Sequence, residues 1–423
     1  MGGKQGSGGS FGDFKTVDDV DFKGKRVLVR VGIDSPFDLD KKRIRDNDRL
    51  AEHGRLLAWL ARKKAAVVAV GHQSRPGKPD FTDTSQHARL LSKHAGMPVK
   101  FVPDIIGKKA TGAIEKLRPG EVLLLDNVRK LDEEMLDKPP AKHAKSRLVH
   151  RLQPLFDVYV NNAFSNCHRS HASMVGFTGL PRIAGPLIVS EVTAAEQARK
   201  QARRPSIYIM GGLKIFDYFD LMEKSLAEGT VDRILASGTL GELCLIALGN
   251  RLGRKEEFLG DEDSMEKKSL LDLLPHVKRL LKKYPDRFEI PVDLAEETGP
   301  GKRRELPVSE LPSSHMIWDI GGRTAERFSD IIKKAKTIYL KGSPGDYRVR
   351  GFSRGSEMII RAIASSTRSG AYSLIGGGSA ADIVDRYSKR SLFSHISLAG
   401  GALMDYMAGN KLPGLEALSR KTS

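Results

Sequence analysis

The stretch YSLIGGGSAAD, residues 372–382, joins an apolar run to a glycine triplet and a helix-like continuation. Short apolar runs of this kind suit strands that are buried on both faces of a parallel sheet. A strand that passes through glycines into a helix is typical of a phosphate site, where helix N–H groups face the anion. It is equally typical of a tight corner that needs residues without a Cβ. Both interpretations indicate a strand–turn–helix unit.

The same pattern recurs on either side of this stretch. In the first half the apolar runs are RVLVRV (26–31), AAVVAVG (65–71), EVLLLDN (121–127) and DVYVNNA (157–163). The pattern then restarts with SIYIMGG (206–212), VDRILASG (231–238), a strand or short bridge at FEIPVDLA (288–295), TIYLKG (337–342) and YSLIGGG (372–378). Segments long enough for helices separate the runs. The sequence therefore predicts an α/β protein of two doubly wound, Rossmann-like parallel-sheet domains in tandem.

Length supports two domains, because 423 residues exceed what a single hydrophobic core usually serves. The helical spacing of GPLIVSEVTAAEQARKQARR (185–204) predicts a hinge helix that joins them. The glycine-rich start has no apolar core and predicts a flexible tail. The expected divisions are the tail at 1–12, an N-terminal domain at 13–185, the connecting helix at 186–204, a C-terminal domain at 205–405 and a final segment at 406–423.

Composition narrows the classes of protein to which the chain can belong. Cys167 and Cys244 are too few for a disulfide framework and are not spaced as a zinc site, which predicts a reducing, cytoplasmic location. No run approaches 18 uninterrupted apolar residues, so we expect no membrane span. The 70 Lys+Arg residues exceed the 52 Asp+Glu residues and give a net charge of +18. This surplus favours anionic partners without choosing between phosphorylated metabolites and nucleic acid.

Basic side chains follow the apolar runs of the first half. Ligands of such sheets collect beyond the carboxyl ends of the strands. The candidates at these ends are Arg30 to Asp34, His72, Arg75, Arg129, His168, Arg169 and His171, with Arg49 just before a predicted helix. Guanidinium groups bind phosphate or carboxylate bidentately, so arginines and histidines at four strand ends predict a site for a small dianion. Any one of these arginines alone could instead cap a helix or form a surface ion pair.

These residues also lie in motifs that carry a resemblance. In order, the motifs are VLVRVGIDSP, IRDNDRL, VGHQSRPGK, VLLLDNVRKLDEE, VYVNNAFSNCHRSHAS, GGLKIFD, WDIGGRT, FSRGSEMI, SLIGGGSAA and SHISLAGGALMDYMAGNKLPGLEAL. Their order and spacing resemble phosphoglycerate kinase over nearly the whole chain, and the HQSRPGK form resembles its archaeal branch. Because the motifs are numerous and collinear, the resemblance is far more specific than a lone glycine triplet.

The resemblance implies a two-lobed enzyme that moves a phosphoryl group between ATP and the carboxylate of 3-phosphoglycerate, using Mg²⁺ and closing its lobes. ADP and 1,3-bisphosphoglycerate are the other pair of reactants. Lys214 would follow the migrating phosphoryl group, with Arg49 stabilising charge from the other side; no Ser, Cys or His nucleophile is needed. The final segment would return to the first domain. By resemblance, the glycerate ligands are Asp34, Arg49, His72, Arg75, Arg129 and Arg169, and the nucleotide ligands are Lys214, Gly321, Lys341, Gly376, Gly377, Gly378 and Ser379.

The chain departs from the family pattern mainly in its second half. Ser379 stands where the family has an aspartate that binds the nucleotide's magnesium. A serine hydroxyl is a weak ligand for this cation, so we expect no protein ligand and a magnesium ion held mainly by the nucleotide's phosphates. The other departures are Tyr218 for a lysine, Lys341 for an asparagine, Arg348 for a glutamate and SLAGGA (397–402) for a Ser-Thr-Gly-Gly-Gly run, with Gly32 for an aspartate and Asp34 for an asparagine in the first half.

Two functions remain open from these residues. In the first, an active and divergent kinase uses Lys341 to supply the charge missing at Tyr218. In the second, a kinase-like protein has lost turnover and binds a phosphorylated anion, RNA or a protein partner through its basic surface. Lys214, Arg49 and the glycine triplet are present, which favours the active kinase. Nucleic acid is expected as a partner only in the second case.

Overall fold

The structure, a computed structural model, describes residues 14–261 and 268–419. The predicted flexible tail at 1–12 lies outside the described residues. The chain divides into two compact units. The first contains the described residues up to Thr193 and those from Lys411 onward, and the second is Ala194–Asn410.

The first unit is built on a parallel sheet, as its apolar runs predict. Its eight described strands are β1 (Arg26–Arg30), β2 (Phe37–Asp38), β3 (Arg43–Ile44), β4 (Ala66–Val70), β5 (Val99–Val102), β6 (Val122–Leu125), β7 (Val158–Asn161) and β8 (Arg182–Ala184). Six of them form the sheet in the order β5-β6-β4-β1-β7-β8, with every neighbouring pair parallel. The strands β2 and β3 form a separate antiparallel hairpin.

Both faces of this sheet are buried because successive side chains of a strand point to opposite faces. Val27 and Val29 of β1 belong to one hydrophobic cluster, and Leu28 belongs to another. The helices that cover the faces begin after strand ends and return the chain for the next parallel strand. Those of the first unit are α1 (Asp48–Arg62), α2 (Ser85–Ala95), α3 (Lys108–Glu115), α4 (Pro140–His143), α5 (Arg147–Leu152) and α6 (Ala172–Val175).

The helix α7 (Pro186–Arg199) contains the boundary between the two units. It starts where the sequence predicts a connecting helix and ends five residues before the predicted end at residue 204. Arg204 precedes Pro205, and a residue before proline is sterically restricted away from the helical conformation. The helical pattern therefore cannot extend to the proline.

The second unit repeats the architecture. Its described strands are β9 (Ser206–Met210), β10 (Arg233–Ala236), β11 (Phe288–Glu289), β12 (Asp293–Gly299), β13 (Lys302–Pro307), β14 (Met316–Ile320), β15 (Thr337–Lys341), β16 (Tyr372–Gly376) and β17 (His395–Ser397). Six of these form a parallel sheet in the order β11-β10-β9-β15-β16-β17. The predicted fold class of two Rossmann-like parallel-sheet domains is confirmed.

A three-stranded antiparallel sheet in the order β13-β12-β14 is an addition that the sequence did not predict. The run FEIPVDLA, expected as one strand or bridge, is divided between β11 and β12. The helices of the second unit are α8 (Tyr218–Ala227), α9 (Gly238–Ala247), α10 (Arg254–Gly260), α11 (Leu274–Lys283), α12 (Gly322–Lys334), α13 (Arg354–Arg368), α14 (Gly378–Tyr387) and α15 (Gly401–Met407).

The last described helix, α16 (Pro413–Glu416), belongs to the first unit. The backbone N–H of Gly414 donates to the carbonyl of Cys167 at 2.9 Å, and Ser419 forms an isolated bridge with Phe14. The chain therefore re-enters the first unit after completing the second. Across residues 14–261 and 268–419, no helix combines the length and the apolar character that crossing a bilayer requires.

Candidate functional site

The candidate site of the first unit lies where the chain order of the sheet reverses. From β1 the chain proceeds to β4 on one side, and it returns later to β7 on the other side. Such a reversal opens a crevice beyond the carboxyl ends of the two strands. The segments that follow β1 and β7 therefore lie beside each other, although more than 100 residues separate them along the chain.

Asp34 follows β1 and connects several segments at this end of the sheet. Its backbone carbonyl accepts a hydrogen bond from Nη1 of Arg49 at 2.7 Å, and its Oδ1 accepts one from the backbone N–H of Ser74 at 2.9 Å. Its Oδ2 lies 4.0 Å from Nε2 of His72. The loop after β1 thus joins the start of α1 to the loop after β4. Three of the predicted site residues are brought together in this way.

Two of the remaining predicted arginines, Arg129 and Arg169, lie close enough to the Asp34 carboxylate to feel its charge. The pKa of both Arg129 and Arg169 is lowered, chiefly by burial, and the negative charge of Asp34 partly opposes the shift at each. Burial and the positive charges of Arg30 and Arg169 outweigh it at Arg129 and lower that pKa to about 10. At Arg169, burial and the positive charge of Arg75 lower the pKa. Guanidinium groups that repel one another at close range favour binding of an anion between them.

Arg129 shows that this cluster has spare hydrogen-bonding capacity. Its side chain is 4% exposed, and Nη1 donates to the carbonyl of Ser74. Its Nε is buried and has no hydrogen-bond partner. The Nδ1 atoms of His168 and His171 are likewise buried and unpartnered. Buried polar atoms without a partner are uncommon in folded proteins. The Nε–H of Arg129 is a donor, so a bound oxyanion is its expected partner.

Histidines in this region stay uncharged near neutral pH. Burial and the charges of Arg129 and Arg169 lower the pKa of His168 to about 4. Burial, again with Arg129 among the further causes, lowers the pKa of His171 to about 3. The pKa of His72 is also well below its ordinary value, chiefly through burial and the charge of Arg30. These imidazoles therefore act as neutral hydrogen-bonding groups beside the arginines.

Arg30 belongs beneath the site, which corrects its inclusion among the strand-end candidates. It is fully buried in β1, where Nε donates to Oγ of Ser173 at 2.8 Å and Nη2 lies 2.8 Å from Nδ1 of His72. Oγ of Ser173 in turn donates to the buried carboxylate of Glu134 at 2.6 Å. These contacts hold the Arg30 side chain in the packed layer behind His72. It positions His72.

His53 is a supporting residue that the sequence analysis missed. The backbone N–H of Gly32 donates to its Nε2 at 2.9 Å, and its Nδ1 lies 3.1 Å from the side-chain amide of Asn162. His53 thereby holds the loop after β1 against the loop after β7. A usable signal was its position four residues after Arg49, on the same face of α1.

The second unit contains a cavity of about 460 Å³ at its own chain reversal, between β9 and β15. The loops that follow β9 and β15 lie too close together there for a side chain between them. An ideal Cβ on Gly342 would lie 2.1 Å from the carbonyl oxygen of Gly211. Gly342 has φ +77°, a left-handed conformation that favours glycine. Of the predicted nucleotide ligands, the cavity is lined by Lys214, Lys341, Gly376, Gly377, Gly378 and Ser379.

Gly321, also predicted to bind nucleotide, is not among the lining residues. It precedes α12, and an ideal Cβ there would lie 2.2 Å from Cγ of Asp293. The Asp293 carboxylate accepts hydrogen bonds from the backbone N–H groups of Arg323 and Thr324 at 3.0 and 2.8 Å. The structure gives Gly321 a packing role at this capped helix start.

The ammonium of Lys341 lies close to the N-terminus of α14, so two positive charges are adjacent. An ideal Cβ on Gly377 would lie 2.7 Å from Nζ of Lys341, which puts the ammonium beside the turn that begins the helix. Burial lowers the pKa of Lys341 to about 8, and Asp217 partly opposes the shift. A helix N-terminus carries positive partial charge, so this pairing is unfavourable until an anion binds. The arrangement suits a polyphosphate.

Tyr218 and Arg348, two residues that depart from the family pattern, line the cavity. Tyr218 is 2% exposed and its hydroxyl donates to the carbonyl of Gly211 at 2.8 Å, so it packs against the loop after β9. The guanidinium of Arg348 lies 5.5 Å from the ring centroid of Tyr347, and both residues line the cavity. The part of the chain described here contains no group of three or more His, Cys, Asp or Glu side chains suited to a metal ion.

Taken together, the fold and these two sites define a phosphotransferase of the two-domain α/β class. The family model for phosphoglycerate kinase matches residues 17–410. The chain belongs to the phosphoglycerate kinase family, which confirms the resemblance carried by the motifs.

Similar proteins match nearly the whole length of the chain. The phosphoglycerate kinase of Methanothermobacter thermautotrophicus is 37% identical over 406 residues, covering 96% of each chain. That of Saccharolobus solfataricus is 39% identical over 406 residues, again covering 96% of each chain. The crystal structure of phosphoglycerate kinase from Pyrococcus horikoshii has a TM-score of 0.88 at 34% identity and covers 97% of this chain and 100% of its own. These relatives favour the active kinase over a protein that has lost turnover.

Proposed function

We propose that this protein catalyses reversible phosphoryl transfer between ATP and the carboxylate of 3-phosphoglycerate, in glycolysis or gluconeogenesis. The observation that carries the proposal is the convergence of Arg49, Arg129 and Arg169 around Asp34, with the buried Nε–H of Arg129 left unpartnered. A small anion with a carboxylate at one end and a phosphate at the other supplies the missing acceptor oxygens.

In the first unit, Arg75, Arg129, Arg169 and neutral His72 bind the phosphate of the glycerate substrate. Arg49, which donates to the backbone carbonyl of Asp34, stabilises charge that develops on the reacting carboxylate. Asp34 accepts from the substrate's hydroxyl and holds the loops in register. Because the arginines are pre-positioned by backbone carbonyls, little reorganisation is needed when charge moves in the transition state.

In the second unit, the turn at Gly376–Gly378 and the start of α14 cradle the nucleotide's phosphates with Lys341 and Ser379. Lys214, exposed on the loop after β9, follows the migrating phosphoryl group. Transfer of this kind depends on positioning and neutralisation of charge, so no covalent intermediate on the protein is required. Both cysteines are buried and take no part.

The residues at the start of α14 do not form a dedicated magnesium site. Mg²⁺ prefers carboxylate and phosphate oxygens in octahedral geometry, and Ser379 offers a neutral hydroxyl. Magnesium therefore enters with the phosphates of ATP or ADP, as part of the substrate. We infer a cytoplasmic location for this reaction.

Isothermal titration of the full chain with 3-phosphoglycerate tests the proposal directly. Arg169→Ala should weaken binding about 10- to 100-fold, because a charge-assisted contact contributes roughly 1.5–3 kcal/mol. Arg62→Ala removes an exposed arginine at the end of α1 and serves as the matched control, with unchanged affinity expected. Unchanged affinity in Arg169→Ala would refute the assigned site, and glycerate binding without any response to Mg-ADP would refute the kinase.

A further inference from the structure

A buried charge pair lines the cavity of the second unit at a place that the phosphate-binding residues do not occupy. Glu242 on α9 is 4% exposed and Lys255 on α10 is 5% exposed, and both line the cavity. Phe258 and Trp318 line it beside them. None of these four residues has a part in the proposed transfer. A buried ion pair in a ligand cavity requires a reason, because removing both charges from water is costly.

In this pair the Lys255 ammonium has a hydrogen-bond acceptor, whereas one carboxylate oxygen of Glu242 has no hydrogen-bond partner. Nζ of Lys255 donates to the carbonyl of Ile317 at 2.9 Å and lies 3.3 Å from Oε1 of Glu242. It also lies 5.0 and 5.2 Å from the ring centroids of Phe258 and Trp318. Oε2 of Glu242 is buried and has no hydrogen-bond partner. Burial raises the pKa of Glu242, so a ligand that donates to Oε2 would stabilise its charged form.

The sheet indicates which part of a nucleotide reaches this pair. The phosphate cradle follows β16, and α9 follows β10; β9 and β15 lie between those strands. Three strand spacings correspond to about 14 Å. A nucleotide whose phosphates occupy the cradle therefore extends its base toward α9 and α10. Trp318 is fixed there by a 2.9 Å hydrogen bond from Nε1 to Glu297, and with Phe258 it supplies aromatic surface for a base.

We propose that Glu242 and Lys255 form a base-recognition site that selects guanine over adenine. This inference rests on the proposed kinase function. Guanine has the acceptors O6 and N7 next to the donors N1–H and N2–H₂. The Lys255 ammonium can donate to these acceptors, and the Glu242 carboxylate can accept from these donors. Lysine contacts to O6 or N7 of guanine are common specific contacts, whereas adenine offers a single amino donor. Guanine therefore satisfies Oε2 of Glu242 while Lys255 keeps its contacts.

The test compares kcat/KM for Mg-GTP and Mg-ATP with 3-phosphoglycerate as the second substrate. The unmodified protein should prefer GTP by about tenfold or more. Glu242→Gln should lower the GTP/ATP ratio by at least the same factor, because a glutamine amide pairs with N6 and N7 of adenine. Glu289→Gln is the matched control, since Glu289 is also buried, pairs with Arg233 and Arg327, and lines no part of the cavity; its ratio should not change.

Binding of GDP, IDP and ADP to the unmodified protein gives a second measurement that does not depend on a variant folding. The expected order of affinity is GDP, then IDP, which lacks the N2 amino group, then ADP. A preference for ADP, or a GTP/ATP ratio unaffected by Glu242→Gln, would overturn base recognition and leave the kinase intact. Absence of turnover and of binding with all of these nucleotides would overturn the kinase proposal together with this inference.

Discussion

We expect the protonation state of the Lys341 side chain to depend on nucleotide binding. Its ammonium is held beside the turn at Gly377, with burial lowering its pKa to about 8. A lysine is charged only below its pKa, so the free protein loses this cation as the pH rises above about 8. A bound polyphosphate favours the charged form and restores the proton. Nucleotide binding must therefore take up a proton in alkaline solution.

We expect the dissociation constant of Mg-ADP to rise above about pH 8, by up to tenfold per pH unit, since one proton is linked to binding. Calorimetry between pH 7 and 9.5, in buffers of different ionisation enthalpy, measures both the affinity and the proton uptake. Lys341→Arg should flatten the dependence because a guanidinium stays charged throughout this range. An unchanged slope in that variant would assign the titration to another group.

At the scale of elements, the turn from β16 into α14 joins a backbone requirement to the chemistry. Gly377 has φ +89°, and a Cβ at this position would collide with the Lys341 ammonium. Gly377 is thus needed both for the left-handed turn and for the approach of the lysine. The structure shows the tight corner, and the proposed phosphate site consists of the same residues.

Gly377→Ala should destabilise the protein by roughly 1–3 kcal/mol through backbone strain and should weaken Mg-ADP binding about tenfold or more as Lys341 is displaced. Affinity for 3-phosphoglycerate should be retained, since its ligands lie in the other unit. Gly260→Ala provides the control, because a Cβ there meets Leu271 at an ordinary 3.5 Å. Wild-type ADP affinity in Gly377→Ala, measured by calorimetry, would contradict the placement of Lys341.

Regular elements were predictable to different extents. Long apolar runs such as RVLVRV and SIYIMGG became β1 and β9, because strands buried on both faces need uninterrupted apolar residues. Several strands escaped prediction, among them β5 and β13. The edge strand β5 reads VKFV and carries an exposed lysine. The strand β13 reads KRRELP and is mostly charged, because one face of an antiparallel sheet can meet water.

At the scale of the whole molecule, the two units differ in their response to acid. The histidines with lowered pKa all lie in the first unit: His53 and His171 at about 3, His87 and His168 at about 4, and His72 well below its ordinary value. Burial is the leading cause for each. The unfolded chain binds protons at these positions near pH 6.5, whereas the folded unit does not until the pH is far lower.

Below about pH 6.5 the unfolded state therefore binds more protons, and the free energy of unfolding of the first unit falls by up to about 1.4 kcal/mol per pH unit for each such histidine. The first unit should unfold before the second as the pH is lowered from 6.5 toward 4. Thermal melting followed by tryptophan fluorescence checks this, because Trp59 lies in the first unit and Trp318 in the second. A single coincident transition, or a first unit that outlasts the second, would contradict the expected order. Saturating 3-phosphoglycerate should delay only the first transition.

The sequence by itself determined the fold class, the restart of the βα pattern and the residue types at the strand ends. The reason is that carboxyl ends of parallel strands meet at one edge of a sheet, so residues that follow the runs are neighbours whatever their spacing. Only the tertiary structure decided burial and pairing. It buried Arg30 against Ser173, 143 residues away, packed Gly321 onto Asp293, and turned Tyr218 onto Gly211. It also brought Glu242 to Lys255, because partners far apart along the chain are chosen by packing and leave no periodic pattern.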